Sequence, residues 1–121
     1  FNIRFNDLYT AETIKSWVRD KCDGVGGAYS LEFFVSGEAF LTPPGFLSGL
    51  VGGAVERVLG TKAELSTSGG TSDARFIKDH CPVIEFGLVG QSMHKADERV
   101  SLQDLHDLTA VYAEILRGYF S

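Results

Sequence analysis

Only two cysteines occur in the 121 residues, Cys22 and Cys81. That excludes a disulfide-dense scaffold, and with no CxxC pair no self-contained zinc site is visible; a reduced, cytosolic setting is expected. Basic residues are in deficit as well, 11 Lys and Arg against 16 Asp and Glu, for a formal charge of −5. A nucleic-acid or anionic-membrane surface would show a basic patch, so the balance argues against both. No long apolar run is present. The longest apolar and glycine stretch, Gly49 to Val55, is far too short to span a bilayer, and no signal-peptide pattern appears. Several motifs are missing too: HExxH, the GxSxG elbow and the lysine of a phosphate-binding P-loop.

What is present is an ordinary soluble composition, 44% hydrophobic and 22% charged. It suits one domain, or two pieces of a larger one. A self-contained domain of this length buries roughly 65% of the surface its unfolded chain exposes, enough for a core without staples. Glycine is in excess, with 14 residues against 3 prolines, clustered at Gly24–Gly27, Gly45–Gly60, Gly69-Gly70 and Gly87–Gly90. Such clusters mark turns and close backbone approaches.

Residues 1–6, Phe-Asn-Ile-Arg-Phe-Asn, alternate strictly and predict a half-buried strand with Phe1, Ile3 and Phe5 inward and Arg4 outward. A strand at residue one, with no initiator methionine, suggests a chain cut from something longer. Thr10 is placed to cap a helix whose stripe is Ile14, Trp17, Val18 and Cys22. Residues 29–36 alternate again. Residues 1–36 therefore predict strand, helix, strand, parallel whether adjacent or split by a third strand. Ser36 to Pro44 is the linker candidate. A helix is expected from about Gly45 to Leu59, where Gly49, Gly52 and Gly53 are tolerable if another backbone packs close. Strands are expected at 62–67 and 83–86, a short helix at 73–79, a long loop at 87–99, and a last helix opened by Ser101 with Asp104 three residues on.

Of the three histidines, His106 falls on the wet face of the last helix and His80 at a helix end. His94 sits in the long loop after a strand of central character, where loops carry ligands and catalytic groups disproportionately. An imidazole there suits a metal, and equally a loop side chain in water. Ser68-Gly69-Gly70-Thr71-Ser72-Asp73 joins a strand to a helix. It reads either as a cradle of N–H groups for a carboxylate or phosphate, or as a tight turn capped by Ser72 or Asp73.

Three blocks carry a resemblance: Ser66-Thr67-Ser68-Gly69-Gly70-Thr71-Ser72-Asp73-Ala74-Arg75-Phe76-Ile77, then Glu85-Phe86-Gly87, then Met93-His94-Lys95-Ala96-Asp97-Glu98. With Phe1–Phe5 and Phe33–Thr42 they resemble, in the same order, the desuccinylase branch of the dinuclear-zinc aminoacylase and carboxypeptidase family. The resemblance implies an α/β (mixed α+β) fold. Residues 1–41 would be the closing strand-helix-strand of a ferredoxin-like lid that dimerises. Residues 42–121 would be the C-terminal part of a zinc-peptidase-like catalytic domain. The family's histidine followed two residues later by aspartate is absent, so the general base and most ligands are expected upstream of Phe1, and no catalytic residue within this chain.

By the same resemblance, His94 ligates one of two zincs per subunit, with cobalt as an alternative metal. Glu98 supports it from outside the ligand set. Arg4 pairs with a substrate carboxylate, a task suited to its planar fork, and Gly70, Thr71 and Ser72 meet the substrate's acidic end. Asp97 and Gly90 stand where some relatives have asparagine. The implied reaction is hydrolysis of N-succinyl-L,L-diaminopimelate to succinate and L,L-diaminopimelate in lysine and cell-wall precursor synthesis, by water attacking a metal-polarised amide. The parent enzyme would be a cytoplasmic homodimer joined through its lid, with no nucleic-acid or membrane partner. This chain alone would be inactive. A sibling deacylase, acting on acetylornithine or on aminoacyl amides, and a non-catalytic binding module on the same fold are the alternatives.

Overall fold

Thr10 begins the first helix as its hydroxyl allows. Its Oγ1 accepts from the Thr13 N–H at 3.2 Å, and Thr13 Oγ1 accepts in return from the Thr10 N–H at 2.9 Å. In the computed structural model, which describes residues 1–68 and 72–121, this helix is α1 (Ala11–Val25), followed by α2 (Phe46–Leu59), α3 (Ala74–Ile77) and α4 (Leu102–Tyr119). Each boundary has a local cause. Gly26, at φ +80°, ends α1. Gly60 ends α2 in the left-handed conformation expected of a glycine there. Ser101 Oγ accepts from the Asp104 N–H at 3.0 Å and opens α4. No helix among the described residues is long and apolar enough to cross a membrane.

The core lies between α2 and α4. Ala54 and Val111 are fully buried, Val51 and Val55 nearly so, and Val58, Ile84, Phe86 and Ile115 pack around them. An added methyl at Gly118 would sit 2.7 Å from Leu50 Cδ1, so glycine there lets the end of α4 approach α2. The predicted close approach at the glycines of α2 is not found. A methyl at Gly49 or Gly52 would meet nothing within 4 Å, and one at Gly53 would meet only the Arg57 guanidinium. On the outer side, Arg57 Nε donates to Glu114 Oε1 at 2.7 Å and Arg117 Nη1 donates to Oε2 at 3.4 Å. The Arg57 bond holds the Glu114 carboxyl below its ordinary range.

The predicted strands, at 1–6, 29–36, 62–67 and 83–86, do not form within the described residues by themselves. An extended segment becomes a strand only when a neighbour pairs with its N–H and C=O groups, and these segments meet none. Part of the alternation survives in burial. Ile3, Phe5, Leu31 and Phe33 are half-buried, whereas Asn2, Arg4, Glu32 and Phe34 are exposed. Phe1, expected inward, is fully exposed. Trp17, placed on the α1 stripe, is 54% exposed, and the Lys21 ammonium stands 5.9 Å from its ring centroid.

The N-terminal third is held by polar contacts more than by a core. The Ala11 N–H, at the positive end of α1, donates to both Glu38 carboxylate oxygens at 3.2 and 3.0 Å. Arg19 stacks 5.1 Å from the Phe33 ring centroid. Beyond α1, the Tyr29 hydroxyl donates to the Asp23 carboxylate, folding the outgoing chain back on the last turn.

The bond to Asp23, with some desolvation and the carboxylate's charge, pushes the Tyr29 phenol up from 10.0 to about 12. The protonated phenol is the donor. Its contribution to stability is therefore full below pH 10 and is lost as pH rises through about 12, where the phenol ionises. In a phenolate absorbance titration one tyrosine should ionise late, and Asp23→Asn should return it to the ordinary range; a titration unchanged by that substitution would count against the bond.

Candidate functional site

The segment 83–86 reaches the core through Ile84 and Phe86. Its carbonyl at Phe86 accepts from the Tyr112 hydroxyl of α4 at 2.7 Å, and the two rings meet edge-on at 6.3 Å. The start of the His94 loop is thereby tied to α4, the helix that carries the fully buried Val111. A cleft of about 610 Å³ opens beside it, lined by Ser72, Asp73 and Ala74 from one motif block, Glu85 and Phe86 from the second and Met93 from the third. Blocks separated in sequence thus border one wide, shallow and open cleft.

Ser72 is exposed at the cleft, and its Oγ accepts from the Ala74 N–H at 3.0 Å, a tight local turn just ahead of the short α3. Among the described residues its own O–H makes no hydrogen bond. Gly70 and Thr71 lie outside the described residues. His94 follows Met93 out of the cleft wall and is exposed, at φ +61°. Asp97 is also left-handed, at φ +58°. A left-handed conformation in a non-glycine residue costs about 1 kcal/mol or more, although His and Asp adopt it more readily than most. Glu98 is exposed in the same loop and, among the described residues, makes no hydrogen bond to His94. Arg4 lies exposed on the N-terminal segment, away from the cleft lining.

The loop is closed by Ser92. Its Oγ donates to the Arg99 carbonyl at 2.7 Å and accepts from the Arg99 N–H at 2.9 Å. Within it, the Lys95 N–H donates to the Ser92 carbonyl at 3.1 Å, and Lys95 Nζ to the Gln91 carbonyl at 2.8 Å. Neither this clasp nor the Tyr112 tie was legible in the motif reading. Ser92 shows no pattern, and Tyr112 falls at helical spacing among the apolar residues Leu105, Leu108, Val111, Ile115 and Leu116.

Among the described residues no three His, Cys, Asp or Glu side chains stand together as metal ligands. A catalytic zinc takes three protein ligands and an open position. One exposed imidazole, that of His94, stands beside the cleft, and by itself it falls short of that ligand count.

The family description "Peptidase family M20/M25/M40" matches residues 7–118, and the chain belongs to that family of metal-dependent hydrolases with a zinc-peptidase-like domain. Among curated proteins it is similar to the succinyl-diaminopimelate desuccinylase of Rhodospirillum centenum, 61% identical over 121 residues, which is 100% of this chain and 31% of that protein. The succinyl-diaminopimelate desuccinylases of Rhodospirillum rubrum and Ruegeria pomeroyi are 55% and 54% identical over 124 residues, 99% of this chain and 32% and 33% of those proteins. The chain therefore spans about a third of the length of these relatives.

Tyr112→Phe keeps the ring packing and removes only the hydroxyl bond to Phe86. It should cost about 1 kcal/mol of stability and speed amide exchange from Gly87 onward, leaving the core amides of α2 as they were. Unchanged exchange after Phe86 would show that the hydroxyl does not anchor the loop.

Proposed function

We propose that this chain is the C-terminal part of a zinc-dependent amidohydrolase that cleaves N-succinyl-L,L-diaminopimelate to succinate and L,L-diaminopimelate. The observation that carries this is whole-chain identity of up to 61% with proteins named for that activity. A physical observation supports the part-protein reading. A folded 13.2 kDa monomer exposes roughly 6,400 Å², whereas this chain exposes 9746 Å². Apolar residues such as Phe1, Leu8, Phe34, Phe46 and Phe120 are more than two-thirds exposed. Such a surface suits a segment that other residues cover.

On this reading residues 1–41 belong to the lid, whose strands are completed by strands from outside the chain, and 42–121 to the catalytic domain. The subunits pair through the lid in the cytoplasm. His94 supplies one imidazole to a zinc pair, and Glu98 supports it. The chemistry zinc supplies when bound is Lewis acidity toward the amide carbonyl and the attacking water. The Gly70–Ser72 loop and Arg4 hold substrate carboxylates, Ser72 with its hydroxyl and Arg4 with two parallel N–H donors. Water adds its oxygen to the succinyl carbonyl carbon, the C–N bond breaks and the amine leaves with the proton. The base for that transfer lies outside this chain.

The test is a full-length enzyme made by setting this chain in place of the corresponding third of the Rhodospirillum centenum protein. It should release succinate from N-succinyl-L,L-diaminopimelate, while the isolated 121-residue chain with zinc should not. Turnover by the isolated chain, free of contaminating enzyme, would refute the proposal, as would an assembled enzyme inert toward the succinyl substrate but active on another acyl amide.

In the assembled enzyme, Arg4→Ala should lower kcat/KM for the succinyl substrate by about one to two decades, the worth of a charged hydrogen-bonded pair at about 1.5–3 kcal/mol. Arg4→Lys should not restore it fully, because a point charge lacks the fork. Comparison with the acetyl amide of the same amine locates the contact. Loss confined to the succinyl compound places Arg4 at the acyl carboxylate, equal loss places it at another carboxylate, and no loss makes it a solvated surface residue.

A further inference from the structure

We propose that Ser92 is a positioning residue for His94, its hydroxyl closing the loop so that the imidazole is held at the metal site before any metal arrives. The proposal rests on the reading of His94 as a zinc ligand. Its own basis is the geometry of the loop. One hydroxyl makes two bonds, donating to the Arg99 carbonyl at 2.7 Å and accepting from the Arg99 N–H at 2.9 Å. It thereby joins the ends of a segment that contains both left-handed non-glycine residues, His94 and Asp97. Loops whose ends meet in this way act as compact units. The inner bonds, from the Lys95 N–H to the Ser92 carbonyl and from Arg99 Nη1 to the Asp97 carbonyl at 3.2 Å, set the turns within it.

Nothing else among the described hydrogen bonds spans this loop from end to end. Met93 lines the cleft on one side of His94, and the chain past Arg99 runs directly to Ser101, the cap of α4. The clasp thus ties the imidazole-bearing turn to the start of α4, the helix that enters the core at Val111. Ser92 is half-buried and Arg99 exposed. Water can therefore satisfy the Arg99 backbone if the hydroxyl is removed, and loss of the clasp should loosen the loop without unfolding the domain. A ligand that is no longer held must be ordered when the metal binds, which weakens binding. Removing groups that orient ligands from behind typically costs about 10–100-fold in metal affinity.

The experiment compares wild type, Ser92→Ala, Ser92→Thr and His94→Ala in the assembled full-length enzyme. Three quantities are read: zinc affinity and stoichiometry by chelator competition, melting temperature of the metal-free protein, and amide exchange at Arg99 in the metal-free protein. Ser92→Ala should weaken one zinc by about 10–100-fold, speed exchange at Arg99 and leave the metal-free melting temperature unchanged. Ser92→Thr, which keeps the hydroxyl, should restore both affinity and protection. His94→Ala should lose that zinc. If Ser92→Ala binds zinc as wild type does while His94→Ala loses it, the positioning role is overturned and the ligand reading stands. If His94→Ala keeps both zincs, the ligand reading falls and the positioning role with it. A matching fall in metal-free melting temperature, or no rescue by Ser92→Thr, would reassign Ser92 to general packing and overturn the proposal.

Discussion

Everything ordered in this chain's second half depends on α2 lying against α4. The pairing is made by small and β-branched side chains, Val51, Ala54 and Val55 against Val111, with Ile115 beside them and Gly118 admitting Leu50. Short side chains bring the two helices close, and close helices exclude water from both faces at once. The Arg57–Glu114–Arg117 cluster borders the same face but is solvent-accessible, so it guides the pairing more than it stabilises it.

The candidate site is built outward from that contact. Ile84 and Phe86 pack on the core, Tyr112 fixes the Phe86 carbonyl, and the chain then leaves as the loop bearing His94. The loop returns through the Ser92–Arg99 clasp to Ser101, where α4 begins. Both ends of the imidazole-bearing segment are thus referred to one helix. This is how an exposed loop can present a side chain repeatably, since the scaffold supplies rigidity that the loop lacks.

The N-terminal third obeys a different constraint. α1 buries only Ala11 and Val18, and its neighbours are attached through Glu38 at the helix N-terminus and Arg19 over Phe33. The flanking segments alternate in burial as strands do, yet carry no ladder. A surface of 9746 Å² on a 13.2 kDa chain is the general form of the same condition. These residues leave apolar surface uncovered within the chain, which spans about a third of the length of the relatives it matches.

Local chemistry by itself determined the three long helices. Thr10, Gly60 and Ser101 cap or end them for reasons confined to a few neighbouring atoms, so their limits could be read from the residues alone. The motif blocks around Ser72 and His94 were legible for the same reason, as short runs of distinctive residue types. What only the tertiary structure decided depends on a partner distant in sequence. Alternation in residues 1–6 and 29–36 specifies a face but cannot supply the neighbouring strand that makes a ladder. The glycines of α2 are tolerable to a sequence reading if another backbone packs close, but the glycine that meets the facing helix is Gly118, against the Leu50 side chain, a contact that depends on how the two helices pack and not on composition. The Ser92 clasp and the Tyr112 tie belong to this second kind: a hydroxyl has no sequence signature until the fold brings a backbone group within reach of it.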